Sequence, residues 1–349
     1  MMKPLRVLAL SFLLCSPAAL SRPQLEDQLL VFFRDSFRLK SSEISAIQSG
    51  KAVANVLKSR KPSEIFVAGA VFIRAEPEAY VKLATDLERL RKLPEYLGVG
   101  RVGDPPQISD FAGFTLDKDD VEELKDCKPS ACAIQLPASR IEQARQNIPW
   151  NAPDVVAQVN QALRSTAVEV LGAYRREGNR VLGEYNDREE PTRVARQFEE
   201  LLSYAESMPK YAPALHRYLL DYPAGKTAAF DEMIRWEKVK FGLKPTLRVV
   251  HVITARGESP AEPAYVVVGK QLYASHYFET AMDLAFCIRS DNPQRPGFYL
   301  VMVMGSEQEG LTGFKGSILR KVVTGRTASS LEKSMDRIKA TLESAVVSR

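Results

Sequence analysis

Histidine is scarce here, three in 349 residues, and tryptophan occurs only twice. There is no His-Glu-x-x-His pair, which excludes the helix-borne zinc site of the metalloproteases. No Gly-x-Ser-x-Gly occurs, which excludes the nucleophile elbow of an α/β-hydrolase. Gly100-Arg-Val-Gly103 is not followed by Lys-Ser/Thr and opens no helix, so it is not a phosphate loop. Without an aromatic-rich platform, the carboxylates Asp231, Glu232 and Glu237 do not read as the acid/base pair of a glycosidase. After the first twenty or so residues no stretch approaches the ~18 consecutive apolar residues of a membrane-spanning helix. Internal repeats and low-complexity segments are absent as well. The formal charge of +5 is too small to point to a nucleic-acid partner, and none is expected.

Hydrophobic residues make up 45% of the chain and charged residues 26%, ordinary values for a chain that builds a packed core. The first segment departs from that average. Met1 to Arg6 is short and basic, Val7 to Leu14 is apolar, and Ala19 and Ser21 place small residues at −3 and −1 of a cut after Ser21. That layout predicts a secretory signal peptide over residues 1–21 and a periplasmic or extracellular protein, 22–349, folded as one domain. Of the four cysteines, Cys127 and Cys132 share the short run Cys-Lys-Pro-Ser-Ala-Cys. Export favours a local disulfide between them, and the spacing is two residues too long for the usual redox motif. No further ligands stand nearby for a metal, so neither metal nor cofactor is expected. Cys287, within Leu-Ala-Phe-Cys-Ile, reads as a buried small hydrophobe.

Periodicity divides the chain into regions. Ile65 to Ala75 is β-branched and aromatic and predicts a strand, closed by Glu76-Pro77. Tyr80, Leu83, Ala84, Leu87 and Leu90 predict one helix from Glu78 to Arg91. Gly- and Pro-punctuated sequence follows, extended rather than helical, then a short acidic helix from Asp119 to Cys127 and a brief strand from Cys132 to Leu136. Val156, Val159, Leu163, Ala167, Val170 and Tyr174 predict a long helix ended by Gly178. Another helix carries Phe198, Leu201 and Leu202, and a short one lies between Pro213 and Pro223. Beyond residue 230, alternation predicts an antiparallel meander of about four strands across Leu247–Thr254, Tyr265–Phe278, Met282–Arg289 and Phe298–Met304. Leu331, Met335, Ile338 and Leu342 mark the buried side of a closing helix from about Leu331 to Ala345. Helices and strands are segregated, which makes the class α+β. The early strand is expected to pair with the late meander, leaving residues 120–230 as a mostly helical elaboration.

Val71-Phe-Ile-Arg-Ala-Glu-Pro-Glu-Ala-Tyr-Val, Asp86 to Pro94, the meander and the helix after Leu331 resemble the START/Bet v 1 helix-grip fold. The resemblance implies a curved antiparallel sheet gripping a C-terminal helix, with an apolar ligand cavity between them and usually no catalysis. Cys127 to Cys132, Trp236-Glu237-Lys238 and Lys270-Gln-Leu-Tyr-Ala-Ser-His-Tyr-Phe278 resemble a family of secreted bacterial proteins, which implies no activity.

The remaining candidates cluster in the strand region. His251 shares a face with Leu247, Val249 and Ile253 and reads first as a hydrogen-bonded core histidine. Aromatic and methionine side chains are dense here, and such chains line either an ordinary core or an adaptable apolar pocket. In the pocket reading the ligand-binding candidates are His251, Tyr273, His276, Tyr277, Met302 and Met304, and the partner is a hydrophobic small molecule or lipid. No catalytic group is assigned. The alternatives are an envelope structural or interaction protein with a filled core, and a hydrolase or isomerase using His251, or His276 with Glu279, in the same cavity. Ser275 and His276, adjacent on a strand, point to opposite faces and cannot form a nucleophile–base pair. From Phe314 to Arg326 basic and bulky apolar residues alternate without an acid, a composition suited to peripheral contact with an anionic membrane.

Overall fold

The computed structural model describes residues 25–35, 37–189, 191–204, 211–241, 244–308, 311 and 313–347. The expected export signal, residues 1–21, lies outside the described residues.

The chain opens with helices α1 (Leu25–Asp35) and α2 (Ser41–Gln48), strands β1 (Val53–Leu57) and β2 (Glu64–Ile73), helices α3 (Pro77–Thr85) and α4 (Leu87–Arg91), and strand β3 (Tyr96–Val102). A largely helical stretch follows: α5 (Lys118–Lys125), α6 (Ala138–Asn147), α7 (Val155–Glu177), the two-residue strands β4 (Glu184–Tyr185) and β5 (Thr192–Arg193), α8 (Val194–Tyr204) and α9 (Pro213–Asp221). Then come β6 (Phe230–Phe241), β7 (Lys244–Arg256), β8 (Tyr265–Ala274), β9 (Phe278–Arg289), β10 (Phe298–Gln308) and helix α10 (Gly313–Val347). Among the described residues, eight strands form one sheet in the order β1-β2-β10-β9-β8-β7-β6-β3, every neighbouring pair antiparallel. The class is α+β.

The early strand pairs with the meander as expected: β2 lies beside β10, with Val71 opposite Leu300. Every residue of β2 is buried, which explains its near-continuous apolar run. Both faces of the sheet are covered, so both are mainly apolar. On one face Phe66, Phe72, Met282, Leu284 and Tyr299 pack with residues of α1, α2, α7, α8 and α9. On the other, Val67, Val71, Val252, Cys287 and Leu300 pack with Tyr80 of α3 and with Leu331, Met335, Ile338 and Leu342 of α10.

Several elements depart from the sequence expectation. The helix foreseen from Glu78 to Arg91 is two, because Asp86 is extended and turns its side chain to accept the Arg89 amide. Residues 132–136 form no strand; they run as a loop whose Gln135 amide donates to the Ser275 carbonyl. Strand β6 has no simple apolar alternation. Its buried Glu237 is neutralised by Arg235 at 2.7 Å and Arg248 at 3.6 Å, so charge is hidden by pairing rather than excluded. Helix α10 begins at Gly313, well before its buried stripe.

The space expected beneath the C-terminal helix is occupied. Met335 is fully buried, and its methyl group lies 2.4 Å from where a Cβ on Gly69 would stand. Gly69 is therefore the position that lets α10 approach β2 this closely.

Candidate functional site

The large hollow lies on the opposite face of the sheet, between α1, the β1–β2 edge and α8. Its volume is ≈ 1600 Å³. The floor is made from alternate residues of three neighbouring strands: Phe66 of β2, Val303 and Gly305 of β10, and Met282, Leu284 and Phe286 of β9. Register brings them together, since Gly305 stands opposite both Phe66 and Met282, and Val303 opposite Leu284. Gly305 is needed here because a Cβ would sit 2.7 Å from the Phe66 ring.

One wall is α1. Its Leu25, Leu29 and Phe33 are buried in the core, while Val31 and Phe32 face the hollow. The facing wall is α8, through Leu201 and Ser203. Arg60 ties this wall to the strand edge: its guanidinium donates to Ser203 Oγ at 3.0 Å, to the Glu200 carbonyl at 2.6 Å and to Glu64 Oε1 at 3.1 Å. Two exposed cations at the rim, Arg38 and Lys58, have no ion-pair partner among the described residues; Asp27 and Asp35 stand on the same rim. A smaller hollow of ≈ 30 Å³ shares Phe32, Tyr211 and Phe286 with the large one and adjoins Leu29 and Val301.

Beside this floor the sheet carries a buried polar cluster. Lys270 of β8 stands opposite Met282 of the floor on one side and opposite His251 of β7 on the other. Lys270 is 1% exposed. Its amine donates to Asn179 Oδ1 and lies 3.9 Å from the centre of the Phe198 ring. Burial pushes its pKa down to about 7. His251 Nε2 is 3.0 Å from Glu232 Oε2, and Nδ1 is 3.0 Å from the Tyr174 hydroxyl. Glu232 also accepts from Tyr218 at 2.7 Å and from Lys226 at 2.6 Å. Burial works against the Glu232 carboxylate, but the hydrogen bonds from His251, Lys226 and Tyr218 outweigh it and hold the pKa at about 2. Burial lowers the pKa of His251, against the pull of Glu232.

These facts assign the protons. An ionised Glu232 only accepts, so Nε2 of the neutral imidazole carries the hydrogen, and Tyr174 donates to Nδ1. Both ring nitrogens are thereby committed and no lone pair remains for a substrate proton. His251 is the satisfied core histidine that its apolar strand face suggested.

The six residues expected to line a pocket are not gathered around one space. Met302 and Met304 face α10, on the far side of the sheet from the hollow, because they alternate with Val301 and Val303. Tyr273 packs edge-on against Tyr185 at 6.1 Å, and its buried hydroxyl has no hydrogen-bond partner among the described residues. His276 and Tyr277 form the β8–β9 turn, where Tyr277 adopts φ 67° and its hydroxyl accepts the Lys244 amide at 2.9 Å. His276 Nδ1 meets the Ala133 carbonyl at 3.0 Å, and Nε2 lies 3.3 Å from Asp120, an ion-pair distance without hydrogen-bond alignment. Glu279, the carboxylate considered as its partner, is held instead by Arg188 at 2.7 Å and Gln197 at 2.8 Å.

Cys127 and Cys132 are bonded, with sulfurs 2.13 Å apart. Next to this disulfide, the Ala133 carbonyl and the Gln135 amide dock on the β8–β9 turn. Cys287 is buried and unpaired, and burial raises its thiol pKa. Among the described residues, no cluster of three or more His, Cys, Asp or Glu is placed to hold a metal ion, and no helix is long and apolar enough to cross a membrane.

Sequence reasoning missed the residues that build the hollow from α1, β1 and α8, and it missed Lys270. A signal for Lys270 existed. The lysine is in phase with Val266, Val268 and Leu272, the buried positions of the same strand. Nothing comparable announced the hollow, whose walls come from segments far apart in sequence. No family model and no curated protein matches this chain.

Proposed function

We propose that this chain is an exported binding protein that holds an apolar or amphiphilic small molecule on the α1/α8 face of its sheet. The hollow carries the reading: ≈ 1600 Å³ over a floor of Phe66, Met282, Leu284 and Phe286. Ligand sites are typically ~300–1,000 Å³, predominantly apolar, with a few placed polar groups. This one is larger, which suits a lipid-like molecule, and Arg38 and Lys58 at its rim suit a polar or anionic end. Methionine at the floor accommodates ligands of varied shape. The segment from 120 to 230, the elaboration on a grip-like sheet, supplies α8 as the far wall. The ligand class is the one the helix-grip resemblance implies; the location differs, since α10 fills its own side. A signal-like leader and the Cys127–Cys132 disulfide support a setting outside the cytoplasm.

The test is saturable binding of a neutral apolar fluorophore such as N-phenylnaphthylamine, with native mass spectrometry of freshly purified protein. Wild type should bind the fluorophore and carry a small molecule. Val303→Trp, which fills the hollow from a partly buried position, should weaken binding about tenfold, a loss of ~1.4 kcal/mol, with little change in Tm. Unaltered affinity in this variant, or a wild type with neither saturable binding nor a co-purifying molecule, rules the cavity site out.

A further inference from the structure

Helix α10 is much longer than its packing on the sheet requires. Its buried stripe begins at Leu331 and rests on β2, β1 and α3. The preceding residues, 313–330, contain no acid and carry Lys315, Arg320, Lys321 and Arg326. In this half Thr324 turns inward, with Val323 and Ala328 partly buried. On the outer side Ile318, Leu319 and Val322 are 56%, 48% and 44% exposed. At the helical repeat of 3.6 residues these three lie within an arc of about 100°. Arg326 is exposed within that arc and Lys321 is exposed at the flank of the helix, between the apolar arc and the buried side; neither has an ion-pair partner among the described residues. Arg320 is held differently: its guanidinium donates to Ser59 Oγ at 2.6 Å and to the Glu64 carbonyl at 3.1 Å. Ser59 belongs to the edge of the hollow, so this turn of α10 stands beside that edge.

We propose that the first half of α10 docks peripherally on an anionic bilayer, with Ile318, Leu319 and Val322 entering the headgroup region and Lys321 and Arg326 facing lipid phosphates. Charge selects this occupant. A helix face of bulky apolar side chains flanked by unpaired cations is the pattern of interfacial helices. A second copy would bring Lys321 and Arg326 toward their own counterparts across a two-fold contact, with no acid in the segment to offset them. The inference does not depend on what the hollow binds, and its test reads a different surface.

The experiment is co-sedimentation of the full chain with vesicles of mixed phosphatidylglycerol and phosphatidylcholine, compared with phosphatidylcholine alone. Wild type should partition to the anionic vesicles and release as salt is raised. Two variants isolate α10, since the apolar run at residues 7–14 is common to all proteins tested. Ile318→Ser/Leu319→Ser/Val322→Ser and Lys321→Ser/Arg326→Ser should each partition at least about tenfold more weakly, as expected for ~1 kcal/mol per basic residue at an anionic surface. Their circular dichroism should be unchanged. Wild-type partition in both variants, equal binding to neutral vesicles, or a wild type that stays in the supernatant overturns the proposal. So does a dimer in sedimentation equilibrium that the triple-serine variant dissolves, which would make a second copy the occupant.

Discussion

At the scale of single residues, the most consequential group is a lysine with no carboxylate beside it. Lys270 sits in mid-sheet with an amide oxygen and two aromatic faces as its company, the Phe198 ring at 3.9 Å and Tyr174 at 5.4 Å. Burial holds its folded pKa at about 7, far below the ordinary 10.5 of a lysine. Between those two values the unfolded chain binds the proton and the folded chain does not, so stability rises with pH across that window. Below about 7 both states are protonated and the full cost of burying the ammonium is present. Lys270→Met, nearly the same shape without the charge, should therefore raise Tm at pH 6, and the gain should shrink steadily towards pH 10. A Tm difference independent of pH would show that the amine stays protonated in the folded state. His251 teaches a related lesson. Its burial was legible from the alternation of Leu247, Val249 and Ile253. Its partners were not, because Tyr174 is 77 residues away and Glu232 is 19. The choice between a satisfied histidine and a reactive one rested on those two groups.

At the scale of elements, local rules succeeded wherever one pattern ran without interruption. The strand around Val71 and the long helix ending at Gly178 appear nearly where composition and spacing put them. Gly178 also shows what its position demands. It has φ 71°, and a Cβ there would lie 1.6 Å from the Tyr222 carbonyl oxygen. Tyr222 in turn stacks on Tyr174 at 4.7 Å, so the close approach at Gly178 holds the ring that donates to His251. Gly178→Ala should thus lower the unfolding free energy by about 3 kcal/mol or more, combining backbone strain with a steric clash. Urea denaturation measures it, and an unchanged midpoint would mean that the α7–α9 junction yields freely. Strand β6 and the start of α10 escaped the same rules for opposite reasons. In β6, charged residues are buried in pairs, so its alternation is not hydrophobic. In α10, apolar residues are exposed, so its stripe is not continuous.

On the scale of the whole molecule, the buried polar cluster makes stability depend on pH in one direction. His251 is held neutral, with a folded pKa below its ordinary 6.5, and Glu232 is held ionised, at about 2 against 4.5. In both cases the unfolded chain binds the proton first as pH falls, so stability drops, beginning below 6.5 for His251 and continuing from 4.5 towards 2 for Glu232. Lys270 adds to the same slope only near its folded value of about 7, and none below about 6, where it is protonated in both states. Chemical denaturation should give a lower unfolding free energy at pH 4 than at pH 7, and Glu232→Gln should flatten the fall below pH 4.5. Equal stability at pH 4 and pH 7 would contradict this arrangement. The fold also joins sequence extremes: Glu26 of α1 bonds Arg295 at 2.8 Å and the Tyr299 hydroxyl at 2.6 Å, next to and within β10. The wall of the hollow formed by α1 is thus anchored to the late strands that form its floor.

What the amino-acid order alone determined is the class of structure: an early buried strand, a helical middle, a late antiparallel meander, a closing amphipathic helix and a disulfide over six residues. Each of these follows from local periodicity or spacing, which a short window contains in full. Which face of the sheet is filled and which is hollow was decided only in three dimensions. Both faces carry similar apolar residues, so composition cannot rank them. The difference lies in how the covering helices meet the sheet: α10 closes on Gly69, whereas α8 is tied to the β1–β2 edge through Arg60 and stands across the hollow from α1.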